Sequence, residues 1–433
     1  MVNLRELEGQ LLAARLGPLG DLLPERYVLP RYDGRSIANL PATIGRLLGV
    51  QQGWAAPPLE AALLPEWQDV ERVILLLVDG IGWRRLWEVV EQQDITFPRL
   101  LEQWGATIAP ITSVSPSTTS AATTTLWGNG AAPAEHGMMG FSFLLMEQSV
   151  VGNMLFWKPA ARGPEATGEL LRWGMEPASF LPIPSLAQVL SAGGVGTTSL
   201  MPRAIAHSPL SNMQQRGAEV VGYLNATDMW LKLRDWTERN RGRRAYCYAY
   251  YPDFDEFSHR DGPDAPSWAS LWREFRFHLD AFMADLPASA RGKTALILTA
   301  DHGHVFSPLA KRHLTQKHPD LLRHLSLMPG GEARHMYLYA RHGRHDAIRE
   351  YYQAHLAEDF HLLDAVEALQ AGLYGPTERL HPDAERRIGD FVMLSKGGAM
   401  MWTGDPDIVL LGMHGSLEPE EMIVPYIAFR LDA

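Results

Sequence analysis

Val73-Ile74-Leu75-Leu76-Leu77-Val78-Asp79-Gly80-Ile81-Gly82 is the stretch on which the fold turns. An aliphatic run without alternation suits a strand covered on both faces, as in the centre of a largely parallel sheet. It begins at Glu71-Arg72 and stops at a carboxylate followed by glycine. A second such run, Lys293 to Ala300, stops at Asp301-His302-Gly303, and a third, Arg244 to Tyr251, is rich in tyrosine and ends at Pro252. Helical patterns such as Ser267 to Leu286 fall between them. Strands alternating with helices imply an α/β architecture, in which ligands bind beyond the carboxyl ends of the strands. Two of these strands deliver an aspartate to that edge.

The rest of the chain frames this core. Its 433 residues are 46% hydrophobic and 21% charged, ordinary for a globular protein with a large buried interior. A formal net charge of -11 argues against nucleic acid or an anionic membrane as a bulk electrostatic partner. Cys247 is the single cysteine, so no intramolecular disulfide can form. No apolar run approaches the length of a membrane span. The N-terminus, Met1 to Gln10, is charged and amphipathic without an apolar signal core, so a cytoplasmic location is expected. Residues 1–70, with a Pro-rich stretch at Leu29–Gly34 and a Gly/Pro/Ala-rich linker at Gln51–Pro58, read as an N-terminal extension packed on a main domain at 71–433. The segment at about 304–341, rich in His, Lys, Arg and Pro, reads as a small cap insertion.

The polar residues supply the chemistry. Asp79, Asp255 and Asp301 offer three carboxylates, and His259, His302 and His414 three imidazoles. Thr118 and Thr119 in Ser115-Pro116-Ser117-Thr118-Thr119-Ser120-Ala121-Ala122 offer a hydroxyl. This inventory suits two divalent cations that accept nitrogen and oxygen ligands, zinc first and manganese as the alternative. Spaced four apart on a helical turn, Asp255 and His259 reach one ion. Asp301 and His302 at a strand end converge on another, and Gly303 permits close backbone approach. The threonine segment reads as a turn and a helix start, where free N–H groups and the helix dipole favour phosphate. Each piece has a plainer reading: Asp79-Gly80 as a turn, the Ser/Thr run as a cap, Asp255 and His259 as a solvated ion pair. Their joint presence is what points to a site.

These segments resemble the alkaline phosphatase superfamily, and most closely its type I phosphodiesterase/nucleotide pyrophosphatase branch. The resemblance rests on Val73–Gly82, Ser115–Gly137, Tyr250–Pro263, Leu296–Gly303 and Gly412–Pro425, in the family's order. It implies an alkaline-phosphatase-like three-layer α/β/α fold with a central, mostly parallel sheet. It also implies a division of ligands, with Asp79, Thr119, Asp301 and His302 holding one zinc and Asp255, His259 and His414 the other. The nucleophile falls three residues after Pro116, at Thr119. Counting back from Glu135-His136-Gly137 leaves one residue extra, which keeps Thr118 and Ser120 open.

The implied reaction is hydrolysis of a small phosphodiester or nucleotide pyrophosphate through a phosphothreonine intermediate. The three carboxylates offset most of the four positive charges of two cations, leaving a modestly cationic site in an acidic protein. Met138-Met139-Gly140-Phe141 replaces the segment in which nucleotide pyrophosphatases carry a phosphate-binding asparagine, which bears on the nucleotide substrate rather than on hydrolysis. His136 is assigned a structural role, Asp253 is the competitor to Asp255, and His304 is placed in the cap or against substrate. Phe143, Phe156 and Trp157 are expected to pack inside rather than stack on a base. The competing functions are phosphomonoester, phosphonate or sulfate ester cleavage or phosphoryl transfer within a sugar on the same scaffold, and a non-catalytic metal-binding relic.

Overall fold

The computed structural model describes residues 4–15 and 17–432. Its main sheet has seven strands: β1 (Arg72–Val78), β2 (Thr107–Thr112), β3 (Gly196–Pro202), β4 (Glu219–Tyr223), β5 (Ala245–Tyr251), β6 (Thr294–Thr299) and β7 (Ile423–Arg430), in the spatial order β2-β7-β6-β1-β5-β3-β4. β1, β3, β4, β5 and β6 pair in parallel, and β7 alone runs antiparallel to its neighbours β6 and β2. β1, β5 and β6 are buried at every position, as their unbroken apolar sequences require. Helices Trp83–Gln93, Ala226–Arg239 and Pro266–Asp285 form one packing group beside the sheet, and Leu40–Leu47, Thr119–Trp127 and Leu186–Ala192 another. The α/β class with a largely parallel central sheet is therefore as the sequence indicates.

Register is what creates the site. Leu77 lies opposite Tyr250 on one side and Thr299 on the other, so β5, β1 and β6 end together. The residues that follow come out at one edge. The Asp79 N–H donates to the Tyr251 carbonyl at 2.9 Å, and the Gly80 N–H reaches Asp301 Oδ1 at 3.3 Å.

A second sheet, also of seven strands, lies in the order Phe360–Asp364, Phe391–Ser395, His335–Leu338, Gly330–Glu332, Ser142–Leu145, Val150–Asn153 and Lys158–Pro159, with antiparallel pairing. Segment 304–341 thus shares a layer with chain from 142–159 and 360–395. Val305–Phe306 pairs with Gly412–Met413, and Arg312–Leu314 with Met400–Trp402. The two sheets are tied by a fully buried ion pair, in which Arg334 donates twice to the Glu421 carboxylate at 2.8 Å. Glu421 also accepts from the Ser416 and Glu418 N–H groups, which fixes the loop after His414.

The N-terminal segment packs on this body. Tyr27, Val28, Leu29 and Ile37 join the main hydrophobic core, and the Val28 N–H donates to the Leu417 carbonyl. No helix among the described residues is long and apolar enough to cross a membrane.

Candidate active site

Asp79 and Asp301 reach the carboxyl edge as the first polar residues after β1 and β6, and both are almost wholly buried. Tyr250, from β5, donates its hydroxyl to Asp79 Oδ2. His302 Nε2 lies 3.4 Å from Asp79 Oδ1 and 3.5 Å from Asp301 Oδ2. These three side chains form one compact group of candidate metal ligands.

The chain then makes two close approaches that glycine alone permits. At Gly80 φ is +77°, and a Cβ there would stand 2.6 Å from His304 Cε1 and 2.9 Å from Asp255 Cα. At Gly303 a Cβ would lie 2.1 Å from the Glu420 carbonyl oxygen and 2.6 Å from Gly82 Cα.

The threonine segment meets this group at the start of helix Thr119–Trp127. Thr118 occupies the N-cap position with extended backbone, and Thr119 opens the helix. Thr119 Oγ1 is 3.1 Å from His302 Nε2 and 3.5 Å from Asp79 Oδ2. Among the three hydroxyls left open by the sequence, Thr119 is the one that makes such contacts. Thr118 hydrogen-bonds the Glu332 carboxyl, and Ser120 Oγ is buried without a partner.

Asp255 and His259 sit four apart on helix Asp253–Asp261, directly after β5. Three imidazoles crowd Asp255 Oδ1, with Nε2 of His304 at 3.0 Å, of His259 at 3.2 Å and of His414 at 3.7 Å. His302 stacks on His414 with ring centres 3.5 Å apart, so it stands between the two groups. Asp253, the competitor, lies instead beside Tyr251 and Glu274.

Electrostatics mark the cluster as lacking counter-charge. Burial, and then Asp301 and Asp255, push the Asp79 carboxyl well above its ordinary range. Burial, and then the other histidines, drive His414 well below the usual imidazole range. Burial would raise Asp255 too, but His259 beside it outweighs that and holds it low. Asp79 Oδ1, Asp255 Oδ1, Asp301 Oδ2 and His304 Nε2 are buried with no hydrogen-bond partner. Buried polar atoms are rarely left so unless a ligand completes them.

The outer nitrogens tell the same story. Nδ1 of His259 faces the Gly412 carbonyl at 2.7 Å, of His302 the Gly303 carbonyl at 3.1 Å, of His304 the Gly80 carbonyl at 3.3 Å and of His414 the Ser117 carbonyl at 2.9 Å. A carbonyl only accepts, so each Nδ1 is the donor in these contacts and each ring turns its Nε2 inward. Backbone-anchored imidazoles of this kind are the usual arrangement around a metal ion.

The structure brings together all seven residues singled out from the sequence, namely Asp79, Thr119, Asp255, His259, Asp301, His302 and His414. Two others were misplaced or missed. His304, assigned to the cap or to a substrate contact, is buried against Asp255; the signal was the second histidine of Asp301-His302-Gly303-His304. Glu332 carried no sequence signal. It is buried, its Oε1 accepts from the Phe141 N–H at 3.1 Å, and burial raises its carboxyl to about 8. That contact falls in the segment where the implied asparagine is missing. His136 is buried with Nε2 3.0 Å from Thr125 Oγ1. Phe143 and Trp157 are buried, while Phe156 is 44% exposed.

Several solved structures share the fold. Murine ectonucleotide pyrophosphatase/phosphodiesterase 5 superposes with a TM-score of 0.59 at 17% identity, over 83% of this chain and 89% of that one. Its human counterpart gives 0.60 at 16%, over 82% and 87%. Phosphonoacetate hydrolase from Sinorhizobium meliloti 1021, in complex with phosphonoformate, gives 0.60 at 18%, over 85% and 92%. A search of curated proteins finds no significant sequence match. The family model for type I phosphodiesterase / nucleotide pyrophosphatase matches residues 73–417, most of the chain and every candidate ligand, and the protein belongs to that family.

Proposed function

We propose that the protein is a two-metal phosphoester hydrolase acting on phosphodiesters or nucleotide pyrophosphates, with Thr119 as nucleophile. One observation carries the reading: the Thr119 hydroxyl stands at a helix start 3.1 Å from His302 Nε2, beside two buried carboxylates, Asp79 and Asp301, each with one oxygen left without a hydrogen-bond partner. The donor set fits the cations. Carboxylate oxygens, inward-facing imidazole nitrogens and a hydroxyl, with no thiolate, suit zinc, with manganese as the alternative. Asp79, Thr119, Asp301 and His302 would hold one ion, and Asp255, His259 and His414 the other. When bound, such ions neutralise phosphoryl oxygens and favour the ionised forms of oxygen nucleophile and leaving group.

The chain's own groups supply the rest. Thr119 Oγ1 attacks phosphorus, forming a phosphothreonine ester as the bond to the leaving oxygen breaks and that oxygen departs with the electron pair. Water then attacks the same phosphorus, the bond to Thr119 Oγ1 breaks, the phosphomonoester or nucleotide separates, and one proton of the water returns to Oγ1 in place of the one that left with the departing oxygen. The N–H groups at the start of helix Thr119–Trp127 and its dipole favour the anionic phosphoryl group there. Two neighbours support the reading. A structure of the murine protein, in an inactive form with a threonine replaced by alanine, holds AMP. The bacterial neighbour is a phosphonoacetate hydrolase, which keeps phosphonates among the substrates to be compared.

Thr119→Ala is expected to lower turnover of bis-p-nitrophenyl phosphate by at least about a thousandfold, with metal content retained. Full activity in that variant eliminates the assignment. A panel of phosphodiesters, phosphomonoesters, phosphonates and sulfate esters, run with zinc and with manganese, ranks the substrate classes.

A further inference from the structure

The geometry points to His304 as a fourth protein ligand of the ion held by Asp255, His259 and His414, which makes that centre a three-histidine, one-carboxylate site. This rests on the two-metal reading above and goes beyond it, since the family resemblance assigns that ion three ligands only.

His304 leaves the strand edge two residues after His302, and its side chain is 1% exposed. Its Nε2 is 3.0 Å from Asp255 Oδ1, closer than that of either His259 or His414. Four ligands on a tetrahedral ion with bonds of about 2.0–2.1 Å stand roughly 3.3 Å apart. The separations of 3.0, 3.2 and 3.7 Å from Asp255 Oδ1 bracket that value, and Asp255, His304 and His414 also belong, with His302, to a set of donor atoms that lie within 4.8 Å of one another. The rings of His259 and His414 lie with their centres 5.0 and 5.2 Å from that of His304.

Orientation and burial favour a ligand role over packing. His304 Nδ1 faces the Gly80 carbonyl, which aims Nε2 into the site. That nitrogen is buried, has no hydrogen-bond partner and points at a carboxylate oxygen that has none either. A proton or a metal cation between these two atoms satisfies both, and the metal titration below separates the two cases. Gly80 is shaped for this, because any side chain there would strike His304 Cε1. The consequence is a site richer in imidazole than its neighbour. It prefers zinc or cobalt to magnesium or manganese, and it would take a substrate oxygen only as a fifth ligand.

The test strips the full-length protein of metal and titrates it with cobalt and with zinc against a competing chelator, comparing wild type with His304→Ala and His304→Gln. Wild type is expected to bind two ions. Both variants should weaken one of them by at least about tenfold and alter the visible absorption of bound cobalt, while leaving the other ion in place. Added imidazole should restore the spectrum of His304→Ala, which loss of folding could not mimic. Unchanged affinity and cobalt spectrum in the variants overturn the inference while the two-metal reading stands; such variants with a raised KM would make His304 a substrate contact. Wild-type protein that binds fewer than two ions overturns both.

Discussion

Asp79 illustrates how single residues acquire their chemistry from placement: the same Asp-Gly that elsewhere closes a turn lies here in a dry cluster of carboxylates and imidazoles. Histidines in this protein divide by what their inner nitrogen meets. Those of the site turn Nε2 toward carboxylates or the Thr119 hydroxyl. His136 instead spends both nitrogens on structure, with Nε2 against Thr125 Oγ1 and Nδ1 accepting from the Met138 N–H. Burial lowers its ring to about 3. A folded value below the unfolded one of about 6.5 means the unfolded chain binds the extra proton between these limits. Stability from this group is complete above the upper limit and is lost as pH falls toward the lower one. At about pH 5 the loss amounts to about 2 kcal/mol. Denaturant melts from neutral to mildly acidic pH should therefore fall more steeply for wild type than for His136→Gln. Parallel curves would contradict this account of the residue.

At the scale of elements, the site depends on strand ends, not on strand interiors. β5, β1 and β6 terminate in register, and the turns that follow cross at van der Waals limits. Gly303 is the tightest point, with backbone on both sides of the missing Cβ. Backbone cannot rotate away as a side chain can, so Gly303→Ala should cost about 3 kcal/mol, at the upper end for an overpacked interior. It should also weaken metal binding, because His302 and His304 flank it. An unshifted denaturation midpoint would show that the turn relaxes freely. Helix Asp253–Asp261 behaves as read from the sequence, its four-residue spacing placing Asp255 and His259 together.

For the whole molecule, the cluster stores unfavourable charge that ligand binding would relieve. Asp79 is held above its ordinary range by burial and by Asp301, so an ionised Asp79 works against the folded state without counter-charge. Ions present at a thousandfold over their dissociation constant stabilise by about 4 kcal/mol, which for a chain this long is roughly 4 °C in melting temperature. Chelation should lower the melting temperature of wild type by this order. In Asp79→Asn the gap between loaded and chelated protein should shrink, while the chelated variant melts no lower than chelated wild type. A chelated variant that melts well below chelated wild type would show that Asp79 stabilises the fold by itself.

Local sequence determined the strands, the helix that carries Asp255 and His259, and the residue types of the site, because periodicity and spacing are properties of neighbouring residues. Val73 to Val78 could hardly be anything but a buried strand, and Asp79 had to follow at its end. Only the tertiary structure decided which hydroxyl faces the ligands, which a count of residues from Pro116 and from His136 left between Thr118, Thr119 and Ser120. Only it placed His304 against Asp255 and brought Glu332 from a distant strand to the Phe141 backbone. These are contacts between segments far apart in the chain, set by the register of parallel strands and by packing of a second sheet. No local pattern encodes them, since each depends on where two independently formed elements come to rest against each other.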